Sequence, residues 1–319
     1  MMKTTVLGSG RWASFLAWYM DRIGSETMLW GRPGSKTLSE LRDKRRNEYL
    51  ALPEGTGLTD DLGQALSFGE IVLVAISAQH LRELCRSIKA FSGKTMLLCM
   101  KGLERDSGLR LTQVVRQELG AGFQLAVWAG PGHPQDFVRG IPNCMVIDSE
   151  DKNLSRELAD TLSGPQIRFY YGEDLIGTEI GAASKNVVGI AAGMLDGLRC
   201  GSLKGVLMAR GAREVSRLVG AMGGNEITVY GLCHLGDYEA TLFSPHSQNR
   251  RFGECIISGE HYGRLAEGVS TAHSLMRLSE RYKVELPICA AVSATVAGQT
   301  NPQTALTDLF ARISKYEFY

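Results

Sequence analysis

One lysine in this sequence occupies the kind of position where a proton-transferring group is found. Lys185 is the only charged residue between positions 180 and 195, and its neighbours are small or aliphatic. Burial of an ammonium group is costly and lowers its pKa, which suits a group that gives or takes a proton near neutral pH. The stretch is too short to span a bilayer and predicts a helix buried within the protein. The alternative is a lysine at the helix edge that extends its ammonium to water.

A second group of polar residues lies in two short segments further along the chain. Positions 236–241 and 247–253 concentrate hydroxyl, amide and guanidinium groups within an otherwise helical pattern. Such groups donate the hydrogen bonds that hold phosphate or carboxylate oxygens. Taken alone, a basic polar loop of this kind is usually solvated surface.

A glycine-rich turn near the N-terminus indicates a nucleotide site. Residues 4–7 form a β-prone run, the sequence GSGRWA follows at positions 8–13, and apolar residues then recur at helical spacing. Strand, glycine turn and helix in this order are the context of the GxGxxG/A dinucleotide fingerprint. The first two glycines permit a tight turn and the close approach of a pyrophosphate to the helix N-terminus. Ala13, at the third position, still permits close packing of the helix on the strand.

The end of the second predicted strand, at residues 27–30, bears on which dinucleotide is bound. An NAD site usually has Asp or Glu here for the ribose 2′-hydroxyl. This chain instead has Arg32, with Lys36 nearby, and these cations would accept a 2′-phosphate. NADP(H) is therefore slightly preferred over NAD(H). The alternative is that Arg32 stacks on adenine and the site accepts either cofactor.

Three further apolar runs, at residues 71–76, 95–100 and 125–129, have the unbroken apolarity of strands buried on both faces of a parallel sheet. Parallel sheets bind ligands beyond the carboxyl ends of their strands. Lys101 and the Gly-Pro-Gly-His loop at positions 130–133 are expected there. A lysine that follows a strand is, however, more often ordinary surface.

Near Gly172 the pattern changes from strands to helices. Weaker strands at 144–147 and 167–171, with a helix at 151–162 between them, are expected to close the first part of the chain. The last predicted helix has apolar positions at Leu306, Leu309, Phe310 and Ile313. The simplest organisation is a dinucleotide-binding domain at residues 1–172 followed by an all-helical domain at residues 173–319.

Composition limits the classes of partner. The 319 residues are 44% hydrophobic and 22% charged with a formal net charge of +1, which gives no electrostatic case for nucleic-acid or membrane binding. The seven cysteines are scattered singly without a CxxC pair, so free thiols in a reducing cytoplasm are expected and no metal site is predicted.

Taken together, these segments resemble the bacterial NAD(P)-dependent glycerol-3-phosphate dehydrogenase family. The resemblance covers nearly the whole chain, in order, and its specificity comes from the joint order and spacing of many short motifs. These motifs are GSGRW from Gly8, LWGR from Leu29, KGLE from Lys101, GP from Gly130, EIGAASKN from Glu179, GMLDG from Gly193, RG from Arg210, LGD from Leu235, NRRFG from Asn249 and EG from Glu267. The resemblance implies an α/β fold in which a Rossmann domain, a doubly wound parallel sheet, precedes a helical domain like that of 6-phosphogluconate dehydrogenase.

The resemblance also implies roles for individual residues. Lys185 matches the family's proton-transferring lysine, with Lys101 and Asp237 beside it as catalytic residues. Substrate-binding positions are expected at Asn186, Thr241, Ser247, Asn249, Gly130 and Arg250. Cofactor contacts are expected at Gly8, Ser9, Gly10, Arg11, Trp12, Arg32, Lys101 and Glu267.

Two positions depart from the family pattern. Gln248 stands where the family usually has an arginine that engages phosphate and cofactor, and loss of such a charge-assisted contact costs roughly 1.5–3 kcal/mol of anion binding. Arg250 or Arg251 would be the substitute. Gly132 stands where the family has Ser or Thr, so a substrate-facing hydroxyl is missing.

The resulting prediction is reversible hydride transfer between NADP(H) or NAD(H) and the pair glycerol 3-phosphate and dihydroxyacetone phosphate, in a cytoplasmic homodimer. One alternative is a dehydrogenase of the same fold that acts on a different small anionic alcohol, which Gln248 and Gly132 motivate. Another is a nucleotide-binding regulator without catalytic activity. The presence of Lys101, Lys185 and Asp237 argues against that last alternative.

Overall fold

The strands of the chain form a single eight-stranded sheet. The structure, a computed structural model, describes residues 2–312, 316 and 317. The strands are β1 Lys3–Leu7, β2 Glu26–Trp30, β3 Gly57–Thr59, β4 Ile71–Val74, β5 Thr95–Leu98, β6 Gln124–Ala129, β7 Asn143–Ser149 and β8 Ile167–Tyr171. Their spatial order is β3-β2-β1-β4-β5-β6-β7-β8, which is the doubly wound arrangement expected from the sequence.

Thirteen α-helices accompany the sheet within the described residues. They are α1 Arg11–Arg22, α2 Lys36–Lys44, α3 Leu62–Phe68, α4 Leu81–Ser87, α5 Leu111–Leu119, α6 Pro134–Val138, α7 Lys152–Leu162, α8 Leu175–Gly197, α9 Lys204–Ala221, α10 Gln248–Ser258, α11 Glu267–Tyr282, α12 Pro287–Val296 and α13 Pro302–Phe310. No described helix is long and apolar enough to cross a membrane. Ile313, assigned to the last helix from its spacing, lies outside the described residues.

The sheet differs from the sequence-based expectation in two details. Strand β3 was not expected, because it has only three residues and begins with glycine, so no apolar run marks it. Strand β7 pairs antiparallel with β6, whereas every other pair of strands is parallel. The fold class is nevertheless confirmed, with a mostly parallel sheet followed by helices.

Both faces of the sheet are covered, which explains the unbroken apolar character of its strands. On one face Val6, Leu73 and Leu97 pack with residues of α1, α2, α6 and α7. On the other face Val72 and Leu98 pack with residues of α3, α4 and α5. Successive side chains of a strand point to opposite faces, so each residue of a central strand meets an apolar layer.

Helix α8 connects the sheet to the helical part of the chain. Its N-terminal half contributes Leu175 and Ala182 to the second apolar layer, while Val187 and Ile190 belong to the core formed with α9, α11 and α12. Glu179 anchors it to the start of α5, because its carboxylate accepts hydrogen bonds from the Arg110 guanidinium at 2.6 Å and the Thr112 hydroxyl at 2.6 Å. Helix α8 is therefore held firmly between the two parts, with Lys185 near its middle.

Candidate active site

A cavity of about 500 Å³ lies where the carboxyl ends of the strands meet the helical part of the chain. This volume is that of a typical small-molecule site. The sheet side contributes residues of α1 and of the segments that follow β4, β5 and β6, and the helical side contributes α8 and the region from Ala240 to Glu267. The polar lining residues include Arg11, Trp12, Tyr49, Ser77, Lys101, His133, Lys185, Asn186, Thr241, Ser247, Gln248, Asn249, Arg264 and Glu267.

Two lysines on the cavity wall share one buried carboxylate. Asp237, which is 1% exposed, accepts hydrogen bonds at the same Oδ2 atom from Lys101 Nζ at 2.6 Å and from Lys185 Nζ at 2.8 Å. Lys101 follows β5, Lys185 lies on α8, and Asp237 lies in the short helical turn Leu235–Asp237. Three segments distant in the sequence thus meet at one carboxylate oxygen. The three residues predicted to be catalytic lie together.

The ammonium of Lys185 has an altered proton affinity. Burial lowers its pKa to about 8, the nearby charge of Lys101 lowers it too, and Asp237 opposes the fall. Because Nζ also donates to the Thr241 hydroxyl at 2.6 Å, this ammonium is held inside the protein and does not extend to bulk water. A pKa near 8 suits a group that gives or takes a proton close to neutral pH.

Each of these lysines keeps hydrogen-bonding capacity for a ligand. An ammonium has three N–H groups. Lys185 uses two on Asp237 and Thr241, and Lys101 uses two on Asp237 and the Gly130 carbonyl, which lies 2.6 Å from its Nζ. The Thr241 oxygen accepts from Lys185, so its own hydroxyl proton is available to another acceptor.

Two asparagines continue this donor-rich wall. Asn249 Nδ2 donates to Asn186 Oδ1 at 3.1 Å, and Asn249 Oδ1 accepts from the Gly268 N–H at 2.9 Å. Because Asn186 Oδ1 accepts from Asn249, the NH₂ group of Asn186 points away from Asn249 and can donate to another acceptor. Ser247 caps α10 by accepting from the Arg250 N–H at 3.3 Å, so its hydroxyl proton and the positive end of the helix face the same space. The wall offers chiefly donors, which suits an oxyanion.

Close helix packing brings Asn186 and Asn249 together. Helices α8 and α10 cross at Gly193 and Gly253, where an added Cβ would collide with the backbone carbonyls of Arg250 and Ile190 respectively. Glycine at both positions lets the two backbones touch. The start of α10 is consequently pressed against the middle of α8, beside Lys185.

The glycine turn after β1 has the features of a phosphate site. Gly8 has φ +132°, and a Cβ there would meet the Ala75 carbonyl oxygen, so the turn requires glycine. Gly10 caps α1 without any side-chain hydrogen bond, and a Cβ at Gly10 would meet no protein atom within 4 Å. The first N–H groups of α1 are therefore approachable from outside. Ser9 stabilises the turn through its hydroxyl contact with Thr37 at 2.7 Å.

One buried carboxylate oxygen of a residue that lines the cavity has no hydrogen-bond partner within the described chain. Glu267 Oε1 accepts from the Ser77 hydroxyl at 2.8 Å, but Oε2 has no hydrogen-bond partner among the described residues. Burial raises the pKa of this carboxyl, and the contacts with Ser77 and Ala78 oppose the rise. An acceptor in this state is suited to the amide or hydroxyl donor of a ligand.

The loop after β6 brings His133 to the cavity wall, where the loop at positions 130–133 was expected, although no role was predicted for this histidine. Burial lowers the pKa of His133 to about 4, so the ring is neutral at physiological pH. Its Nε2–H donates to the Ala240 carbonyl at 2.8 Å, which leaves Nδ1 as an acceptor. Gly132 is required next to it, because with φ +140° an added Cβ would overlap the buried ring of Phe137. A serine at position 132 would not fit without moving that ring.

The structure does not bring every predicted site residue to the cavity. Arg250 lies outside it, in ion pairs with Asp196 at 2.6 Å and Glu254 at 2.7 Å. Arg32 is exposed beyond the end of β2 and does not line the cavity, and Gly130 contributes through its carbonyl. Tyr49 and Arg264 line the cavity and were missed, since neither follows a strand nor belongs to a motif.

Comparison with known proteins covers both parts of the chain. The family model described as "NAD-dependent glycerol-3-phosphate dehydrogenase N-terminus" matches residues 3–155. The model described as "NAD-dependent glycerol-3-phosphate dehydrogenase C-terminus" matches residues 174–307.

Individual relatives agree with these matches. A glycerol-3-phosphate dehydrogenase [NAD(P)+] from Deinococcus radiodurans is 37% identical, with 98% of this chain and 96% of the relative covered. One from Fusobacterium nucleatum is 34% identical over 99% of both chains. The crystal structure of a glycerol-3-phosphate dehydrogenase from Coxiella burnetii superposes with a TM-score of 0.91 at 28% identity, covering 98% of this chain and 99% of that chain.

Proposed function

Because the chain belongs to the NAD-dependent glycerol-3-phosphate dehydrogenase family, we propose that it interconverts glycerol 3-phosphate and dihydroxyacetone phosphate with NAD(P)(H) as the redox partner. In the oxidative direction, glycerol 3-phosphate and NAD(P)+ give dihydroxyacetone phosphate, NAD(P)H and a proton. The observation that carries the proposal is the Lys185–Asp237–Lys101 cluster on the wall of a donor-rich cavity. It places a lysine of lowered pKa where an oxyanion would bind.

The residues on the sheet side fit a nicotinamide dinucleotide. The open N-terminus of α1 after Gly10 suits the diphosphate, with Arg11 adding positive charge. Trp12 and Glu267 both line the cavity, and within the described part of the chain Trp12 Nε1 and Glu267 Oε2 are buried without hydrogen-bond partners, which fits polar groups of a cofactor bound beside them. When bound, the nicotinamide supplies or accepts the hydride.

Lys185 is assigned the proton transfer. During reduction its ammonium donates a proton to the carbonyl oxygen, and during oxidation the neutral amine accepts the hydroxyl proton. Asp237 holds the lysine in place through the 2.8 Å contact, while Lys101 adds a second positive charge beside the reacting oxygen. That charge stabilises the alkoxide character that develops on the oxygen.

The donor groups on the helical side are assigned to the substrate phosphate. Thr241, Ser247, Asn186 and Asn249 surround the start of α10, whose helix dipole also favours an anion. Gly130 acts by orienting Lys101 through its carbonyl. Arg250 is left out of this assignment, because Asp196 and Glu254 already engage its guanidinium.

Four finer points belong to the same proposal. Arg32 and Lys36 are exposed beyond β2, and their charge supports a preference for NADP(H). The seven free cysteines suit a cytoplasmic location. The division into domains at residues 1–172 and 173–319 is supported by the end of β8 at Tyr171 and the start of α8 at Leu175. A homodimer rests on the family resemblance alone, and sedimentation of the purified protein tests it.

A substrate panel followed by absorbance at 340 nm tests the function. We expect dihydroxyacetone phosphate to be reduced with either NADPH or NADH, and NADPH to give the higher kcat/KM. The competing assignment, a different anionic keto compound, is motivated by Gln248 and Gly132. It is favoured if dihydroxyacetone phosphate is inert while another keto phosphate or a keto acid is turned over. Cofactor binding without turnover of any panel member would contradict an enzymatic role.

A further inference from the structure

Both the oxygen and the nitrogen of the Gln248 side-chain amide form hydrogen bonds within the protein. Tyr262 donates its hydroxyl to Gln248 Oε1 at 2.6 Å, and Gln248 Nε2 donates to the His246 carbonyl at 3.3 Å. The amide is neutral and is held by its neighbours. This part of the cavity wall therefore gains no positive charge from position 248.

The nearby arginines differ in how their charge is used. Arg250 is committed to Asp196 and Glu254, and the exposed Arg251 does not line the cavity. Arg264, in the connection between α10 and α11, does line the cavity. Within the described part of the chain, its guanidinium forms neither an ion pair nor a hydrogen bond. Arg264 is thus an exposed cation at the cavity, and its guanidinium N–H groups have no acceptor among the described residues.

Arg264 acts on the same region as Arg11, which begins α1 on the sheet side. The Arg11 guanidinium lies 5.5 Å from the centre of the Tyr49 ring. Burial and the Glu48 carboxylate raise the pKa of Tyr49, and the charges of Arg11 and Arg264 both oppose that rise. Burial also raises the pKa of Tyr262, and the charges of Arg264, Arg251 and Arg11 oppose that rise. Arg11 and Arg264 thus line the same cavity, from its sheet side and its helical side, and the charge of each reaches Tyr49 and Tyr262.

We propose that Arg264 binds phosphate oxygens in this cavity and supplies, from the α10–α11 connection, the cationic contact that Gln248 does not make. The proposal rests on the proposed function, which brings two phosphate groups to the cavity: the substrate's monoester and the cofactor's diphosphate. Both present the same chemistry, acceptor oxygens with negative charge, to a guanidinium with several N–H donors. Arg11 and Arg264 would approach the anion from the two sides of the cleft.

The test compares Arg264→Gln with Arg251→Gln. Each change removes one exposed positive charge near Tyr262, but only Arg264 lines the cavity. Equilibrium binding of NADPH and of glycerol 3-phosphate is measured for each variant, together with the KM for dihydroxyacetone phosphate. A charge-assisted contact of this type predicts a loss of about tenfold or more in affinity for at least one phosphate ligand in Arg264→Gln. Arg251→Gln is expected to stay within about twofold of the unaltered protein.

The pattern of loss identifies the phosphate. A weaker NADPH affinity alone indicates the cofactor diphosphate, a weaker affinity for glycerol 3-phosphate alone indicates the substrate phosphate, and a loss of both indicates a contact between them. The double variant Gln248→Arg with Arg264→Gln should recover most of the lost affinity. Equal behaviour of Arg264→Gln and Arg251→Gln overturns the proposal. The binding measurements need no turnover, so failure of the unaltered protein to reduce dihydroxyacetone phosphate would count only against the proposed function.

Discussion

Two clusters of charged side chains are built alike and yet differ in what they can do. In the first, Lys185 and Lys101 share the carboxylate of Asp237. In the second, Lys204 donates to Asp196 Oδ2 at 2.7 Å and Arg250 Nε donates to the same oxygen at 2.6 Å. Lys185 is 8% exposed and Lys204 is 7% exposed, so burial does not distinguish them.

The difference lies in the remaining partners. Glu254 neutralises Arg250, and Lys204 also donates to the Leu242 carbonyl at 2.9 Å, so the second cluster pairs two cations with two anions. The first cluster pairs two cations with one anion and keeps one positive charge at the cavity wall. An excess charge next to open space attracts an anion and lowers the proton affinity of its neighbour, whereas a neutral and satisfied cluster mainly holds helices together.

Removal of each buried lysine should have opposite effects on activity and stability. Lys185→Ala should lower kcat by about 10²–10⁴-fold, because the proton donor is lost, while NADPH binding persists. Lys204→Ala should leave kcat within about threefold but lower the free energy of unfolding by about 1–3 kcal/mol, because Leu242 and Asp196 each lose a partner. Steady-state kinetics and urea unfolding measure the two effects. Near-normal turnover in Lys185→Ala would remove the distinction between the clusters.

Removal of each aspartate sharpens the same comparison. Asp196→Asn should lower the free energy of unfolding by about 3–5 kcal/mol, because buried Lys204 then has no carboxylate. Asp237→Asn should cost less stability, since Lys185 can lose its proton. It should lower kcat for the reduction of dihydroxyacetone phosphate by about 100-fold, because Lys185 becomes less protonated and less well held. If urea unfolding shows the larger loss in Asp237→Asn, the assignment of a structural role to the Asp196 cluster is wrong.

The same two clusters show which features of the fold and site could be predicted from the sequence. The apolar strands and the apolar run within residues 180–195 predict the sheet and helix α8, because these patterns are local, but that run alone left open whether Lys185 is buried or extends its ammonium to water. Family resemblance brings Lys101 and Asp237 to the same site. The assignment of Arg250 to the substrate did not anticipate its ion pairs, because Asp196 lies more than fifty residues away and no local pattern links them.

Other features of the site depend on side-chain packing that the periodicity of apolar residues in the sequence does not predict. From the sequence, Gly132 is interpreted as the loss of a substrate-facing hydroxyl. The structure shows instead that the Phe137 ring occupies the space that a side chain at position 132 would need. Arg264 lies in an irregular connection between two helices, so nothing in its surroundings predicts that it reaches the cavity. Position 248 can be recognised as unusual from the sequence, but its bond to Tyr262 cannot.

The pH dependence of kcat/KM tests the role of Lys185 most directly. With a pKa of about 8, Lys185 is protonated below that pH and neutral above it. Reduction of dihydroxyacetone phosphate needs the protonated form, so its kcat/KM should be level at lower pH and fall tenfold per unit above about pH 8. Oxidation of glycerol 3-phosphate needs the neutral form and should fall below about pH 8. In Lys101→Gln both limbs should move to higher pH, because a charge that lowers the pKa of Lys185 is gone. Profiles that stay level through pH 8 in both directions would contradict the account.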